Sequence, residues 1–269
     1  MIAALLGVVC VAYSIGVRAA WTRAGRGRGI RLRQLACFAL GMATLFIALL
    51  SPIDTQADEL FSAHMIQHVL LTIVAPPFLV SGAPIVALLF ALPLESRRRT
   101  VRAIKRSPAL TTSWETLTSP AIACGVHAVA LWTWHIPRLY SLALEHPTMH
   151  ALEHASFIGT AALLWWSIIH PRRSRRAAYG IGIATLFATM LQSGVLGALL
   201  TLSHRVWYPL QTIGAATHGL SPLEDQQLAG LIMWVPGGLL YLIGMAALFL
   251  GFIREVGSSQ REIVAATAG

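Results

Sequence analysis

Apolar runs of about membrane length, separated by short connections that hold nearly all the charge, leave this chain few ways to fold. A helix that crosses the hydrocarbon core needs about 20 predominantly apolar residues. Such runs lie at 2–17, 34–50, 60–81, 120–136, 147–169, 178–202 and 227–253. Over the whole 269 residues, 56% are hydrophobic and 12% charged, and the mean hydropathy is +0.66. Soluble domains carry about 25% charged residues. The pattern therefore predicts an all-α polytopic membrane protein, a single domain over 1–269 with seven transmembrane helices. No basic segment precedes the first run, so it is expected to be a membrane helix rather than a cleaved signal peptide.

Charge sets the expected orientation. With seven spans, one side receives Arg18, Arg23, Arg26, Arg28, Arg31 and Arg33, the six basic residues of 95–106, Arg172, Arg173, Arg175, Arg176, Arg254 and Arg261. The other side receives only Arg138 and Arg205. Cytoplasmic loops hold the excess of Lys and Arg, so the N-terminus is expected outside and the C-terminus in the cytoplasm. The formal charge of +9 is thus a topology and anionic-lipid signal. No aromatic residues interleave with the basic runs, which argues against nucleic acid as a partner.

The stretch SPIDTQADELFSAHMIQHVLLTIVAPPFLVSGAP at 51–84 holds the first sign of chemistry. Its polar start, 51–59, carries Asp54, Asp58 and Glu59 and is expected to be an acidic loop. His64 and His68 follow at helical spacing, one turn apart on one face. Pro76 and Pro77 lack a backbone N–H and are expected to break or kink the helix. From 60 to 92 the apolar stretch would measure about 50 Å as one helix. That length predicts a helix to about residue 81, then a short interfacial piece.

Imidazoles inside a membrane helix are costly and mark function by default. Eight of the ten histidines fall toward the predicted outer side: His64, His68, His135, His146, His150, His154, His204 and His218. His127 and His170 do not. His146, His150 and His154 repeat the four-residue spacing on the fifth run, with Glu153 bordering the stripe. His150 and His154 lie about 5 and 10 Å below Pro147, and His64 and His68 about 6 and 12 Å below Leu60. The two pairs therefore sit at one level if their faces meet. Met65, Met149 and Met233 accompany them. Histidine with methionine suits Cu(I), and histidine with carboxylate suits Cu(II) or Zn(II). The proposed ligands are His64, His68, His150 and His154, with His135 and Met233 as exchange ligands. Asp54, Glu153 and Asp225 are expected to support them, by orienting an imidazole or folding over the cluster. A satisfied polar network between helices and a b-type haem held by facing His pairs are the competing readings.

Other features read more plainly. Cys10, Cys37 and Cys124 lie singly in apolar runs, with no CxxC. His127 reads as a helix-packing group. Trp132, Trp134, Trp165, Trp166, Trp207 and Trp234 read as interface belts. Gly194, Gly197, Gly237 and Gly238 read as close-packing positions. No nucleophile–base motif or Walker-type loop occurs, so an enzyme is not expected.

Four segments, 51–84, WTWHIPRLY at 132–140, MHALEHASFIGTAALLWW at 149–166 and SPLEDQQLAGLIMWVPGG at 221–238, resemble the multi-span CtaG family, assembly factors of bacterial caa(3)-type cytochrome c oxidase. The resemblance implies a seven-helix protein of the bacterial plasma membrane that helps mature a haem–copper oxidase, with a role in copper delivery. Oxidase subunits would be its partners, with a periplasmic or extracellular copper donor. On this chain the family's motif positions are Asp54, His64, His68, His135, His150, Glu153, His154, Asp225 and Trp234.

Overall fold

The structure, a computed structural model, describes residues 2–171 and 175–267. Among these residues every regular element is a helix, and there is no strand. The helices are α1 (Ile2–Ala24), α2 (Leu32–Leu50), α3 (Pro52–Glu59), α4 (Phe61–Ser81), α5 (Pro84–Ala91), α6 (Leu94–Arg106), α7 (Pro108–Leu117), α8 (Pro120–Trp134), α9 (Pro137–Glu145), α10 (Pro147–Ile169), α11 (Arg175–Thr201), α12 (Thr212–Thr217) and α13 (Pro222–Thr267). Proline opens α3, α5, α7, α8, α9, α10 and α13. Its fixed φ suits the first helical position, where the missing N–H has no intrahelical partner anyway.

Six helices, α1, α2, α4, α10, α11 and α13, are long and apolar enough to cross a membrane. The fourth expected span, 120–136, is not among them: its residues form α8, an apolar helix of 15 residues, about 22 Å long. It stops at Trp134 because Pro137 begins the next helix and disfavours helical backbone at Ile136, which is extended at φ −68°, ψ 122°.

Helix α4 is the axis of the bundle. It is the most buried of the six long helices and packs against α2, α10 and α13. Helix α8 lies against α10 and α11, and α11 pairs closely with α13. That last pairing depends on glycine. A Cβ on Gly230 would stand 2.6 Å from the Gly197 carbonyl oxygen, and one on Gly197 would stand 2.9 Å from the Gly230 carbonyl oxygen. The two backbones therefore touch, as small residues permit in membrane bundles.

Several expectations change. The acidic segment is not a loop. Ser51 accepts from the Ile53 N–H at 3.1 Å, Pro52 takes the first helical position, and α3 follows. Pro76 and Pro77 do not break α4. Residues Leu70–Val74 form a π turn, with the Ala75 N–H donating to the Leu70 carbonyl. The wider turn carries the helix past the carbonyls that a proline ring would otherwise strike. The break comes at Gly82–Ala83, where Ala83 adopts left-handed backbone at φ 52°.

The piece after that break is a helix, α5, packed against α1. Tyr13 donates to the Gly82 carbonyl at 2.8 Å, and its ring stacks on Phe38 at 3.5 Å. Helix α1 itself reaches Ala24, beyond the expected end at residue 17. The last helix begins at Pro222 rather than 227, and the expected polar tail from Arg254 is helical to Thr267. Arg172 and Arg173 of the basic run lie outside the described residues.

Candidate metal centre

The site is built where α4, α8 and α10 converge at one end of the bundle. Helix α4 has a leucine, Leu60, at its N-cap and no side-chain cap of its own. The first N–H groups of a helix need partners from elsewhere. Asp225 of α13 supplies them: Oδ2 accepts from the Phe61 N–H at 2.7 Å and Oδ1 from the Ser62 N–H at 3.0 Å. A carboxylate there also complements the helix dipole. Gln67 fixes the rotation of α4 by donating to the Ala48 carbonyl at 2.8 Å and to Asp54 Oδ1 at 2.7 Å. With Gln67 turned toward α2 and α3, His64 and His68 present their rings to α10.

Helix α10 answers with His150, Glu153 and His154. The rings of His64 and His68 lie 4.2 Å apart, as do those of His150 and His154. Between the helices, His64 is 5.6 Å from His150 and 6.3 Å from His154, and His68 is 5.8 Å from His154. His135, just past the end of α8, brings a fifth ring 6.1 Å from His68. Glu153, fully buried, reaches between them. Its Oε1 is 3.5 Å from His68 Nε2 and 3.9 Å from His64 Nε2.

Many polar atoms of these groups lack a hydrogen-bond partner in the protein. Both ring nitrogens of His64 and His68, Nε2 of His135, His150 and His154, and both oxygens of Glu153 are buried without a hydrogen-bond partner. An unmade hydrogen bond at a buried group costs about 1–3 kcal/mol, so nine such atoms together make this an unusually polar and costly spot in the bundle. A cation bound by imidazole lone pairs and a carboxylate would satisfy Glu153 and one nitrogen of each ligating ring. Two sets are ready for it: His64, His68 and Glu153, and His150, Glu153 and His154, each with donor atoms within 4.8 Å of one another. Donors at about 2.1 Å from a shared ion stand up to about 4.2 Å apart, so small side-chain shifts close either set.

The remaining expected residues stand elsewhere. Asp54 bonds Gln67 and orients no imidazole. Asp225 holds the start of α4 instead of covering the cluster. Its neighbours Gln226 and Gln227 tie down the preceding connection: Gln226 accepts from the Trp207 N–H at 2.6 Å, and Gln227 donates to the Ser203 carbonyl at 3.0 Å. Met233 lines a small cavity below the cluster rather than the cluster itself. His127, expected to serve packing, contacts Thr160 at 3.0 Å and lines the same cavity. His146 is exposed. His218 bonds the Gly214 carbonyl at 2.9 Å, also at the surface. His170, at the far end of α10, stacks on Trp166 at 4.2 Å, and burial holds its pKa below the usual range.

An aromatic wall encloses the rings. Phe157 lies 4.6 Å from His68, and Tyr140 lies 5.1 Å from His64. Tyr208 donates to the His135 carbonyl at 2.7 Å. Burial pushes the Tyr208 phenol up, so it remains a neutral donor. Phe157 was legible as the residue three beyond His154 on the same stripe. Tyr208 belongs to an irregular connection and gave no periodic signal.

Apolar helices around a buried histidine–carboxylate cage define a multi-pass membrane protein with a donor set that could hold a metal ion. The model of one family, the cytochrome c oxidase caa3 assembly factor (Caa3_CtaG), matches residues 11–255. The chain belongs to that family. It is also 26% identical over 263 residues to the uncharacterized protein Mb0105 of Mycobacterium bovis and, equally, to MT0111 of Mycobacterium tuberculosis. It is 24% identical over 260 residues to ML1998 of Mycobacterium leprae. Each match covers 93% of this chain and 39% of the relative, so the chain spans about two fifths of the length of these curated relatives. No solved structure matches it.

Proposed function

We propose that this protein binds copper in the cage of His64, His68, His150, His154 and Glu153 and delivers it to a haem–copper cytochrome c oxidase during assembly, without catalysing a reaction itself. In this reading the chain crosses the bacterial plasma membrane seven times, α8 included, with its N-terminus outside. The cage then opens toward the outer side, where a copper donor is met, and oxidase subunits receive the ion. Family membership supports the oxidase as the destination. The observation that carries the metal is the fully buried Glu153 among imidazole nitrogens, with no hydrogen-bond partner for either oxygen.

Neither competing reading accounts for that observation as well. A structural network would pair these atoms with each other. A porphyrin would need a slot between the helices, and rings packed 4.2–6.3 Å apart with a carboxylate among them leave none. The test is metal content of the purified full chain, with His64→Ala and His154→Ala beside it and an absorption spectrum of each. Copper in the parent and its loss from both variants is expected. Unchanged copper in both, or a Soret band, overturns the reading.

A further inference from the structure

Beneath the cage lies a second feature that the copper reading does not use. A cavity of about 20 Å³ is enclosed by α4, α8, α11 and α13. Its lining includes Met65 and Met233, whose thioethers come from different helices and are both buried. His127 and His135 line it as well. The volume holds one ion or one water molecule and nothing larger.

The hydrogen bonds around the cavity spend several of the hydrogens of its lining residues and leave lone pairs on them. His135 Nδ1 lies 2.7 Å from the Leu131 carbonyl, which can only accept, so the proton is on Nδ1 and Nε2 carries a free pair. Nε2 is buried and has no partner. Thr160 gives its hydroxyl hydrogen to the Ser156 carbonyl at 2.8 Å, so it accepts from His127 Nδ1, and the free pair of His127 is also on Nε2. Thr72 and Ser193, two further lining residues, spend their hydroxyl hydrogens on the His68 and Met190 carbonyls. A small space whose lining residues carry two thioethers, two imidazole lone pairs and the hydroxyls of Thr72, Ser193 and Tyr241 is suited to a cation. Soft sulfur ligands with imidazole select a monovalent d¹⁰ ion such as Cu(I) over Zn(II) or Mg(II).

We propose that Met65, Met233, His127 and His135 form a second, deeper station for a soft monovalent ion, directly below the histidine–glutamate cage. The proposal deepens the copper reading and rests on it for the identity of the ion. His68 borders both sites, so an ion leaving the cage meets thioether ligands within the bundle. His127 then acts as a ligand in the membrane interior, and the methionines act as more than core filling.

The full chain, purified in detergent, is titrated anaerobically with Cu(I) presented as its bicinchoninate complex, and copper–sulfur scattering is measured by X-ray absorption. Two ions per chain and a copper–sulfur shell are expected for the parent. The Met65→Leu/Met233→Leu double variant, nearly isosteric at both positions, should bind one ion and lose the sulfur shell. The His64→Ala/His154→Ala double variant should bind one ion and keep it. A parent with one ion, no sulfur shell and loss only in the histidine variant overturns the deeper station and leaves the cage standing. A parent with one ion and a sulfur shell that survives in the histidine variant overturns the cage and leaves the deeper station. The scattering of the parent alone decides against the proposal if sulfur is absent, whatever the variants do.

Discussion

Glu153 Oε1 on α10 lies 3.5 Å from His68 Nε2 on α4, across the interface of two helices that meet face to face, and neither atom has a hydrogen-bond partner. A buried carboxylate costs several kcal/mol unless it is paired. The protein therefore carries a cost at this position, which the proposed copper ion would relieve.

Glu153→Gln separates these effects. It keeps the shape and removes the charge. The metal-free variant should melt no lower than the metal-free parent, while its copper affinity falls at least about tenfold, the scale expected when a supporting or ligating group is lost. Melting curves with and without copper check both halves. A variant that loses stability yet keeps full copper affinity contradicts the assignment.

Asp225→Ala removes the borrowed cap of α4. Two N–H groups lose their acceptor, and loss of a cap costs about 0.5–2 kcal/mol. Asp225→Asn retains one oxygen and should fall between the parent and the alanine variant. Thermal unfolding in detergent orders the three, and equal stability of all three counts against the cap.

Tyr208→Phe leaves the His135 carbonyl without its donor, at a cost of about 1–3 kcal/mol for the unsatisfied group. Because burial raises the Tyr208 phenol, the hydroxyl is neutral in both neutral and mildly alkaline solution. The stability difference between parent and variant should therefore not change between about pH 6 and pH 9, well below the ordinary phenol value near 10. Paired melting curves at the two pH values test this. Copper content should be unaffected.

Gly16→Ala places a Cβ 1.9 Å from the Ala87 carbonyl oxygen, and Gly230→Ala places one 2.6 Å from the Gly197 carbonyl oxygen. Both meet backbone, which cannot rotate aside, so overpacking costs of about 1–3 kcal/mol are expected. Gly159→Ala meets nothing within 4 Å and should be neutral or slightly stabilising. Protease resistance of the three in membranes ranks them.

The pairing of His64 with His68, and of His150 with His154, was legible because a four-residue step returns to one helix face. Equal depth below two helix starts was legible by the same arithmetic. The central position of Glu153 was not. Sequence placed it at the border of its stripe, and only the rotation of α10 against α4 brought it among four rings. Asp54 and Asp225 were legible as polar residues near the site, but their partners, Gln67 and the Phe61–Ser62 backbone, follow from tertiary approach. The α3 helix was missed because a polar octapeptide has no apolar stripe. Its Ser51–Pro52 start was the signal that carried the information.

By itself the sequence determined a helical membrane protein, the confinement of its charge to the connections and the two histidine pairs, because hydropathy, loop charge and helical period are local properties of the chain. Tertiary structure decided how α4 passes Pro76 and Pro77, which carboxylate enters the cage, and that Met65 and Met233 share a cavity with His127. Those outcomes depend on the rotation and approach of helices far apart in sequence, which packing against α2, α10 and α13 sets and no local pattern encodes.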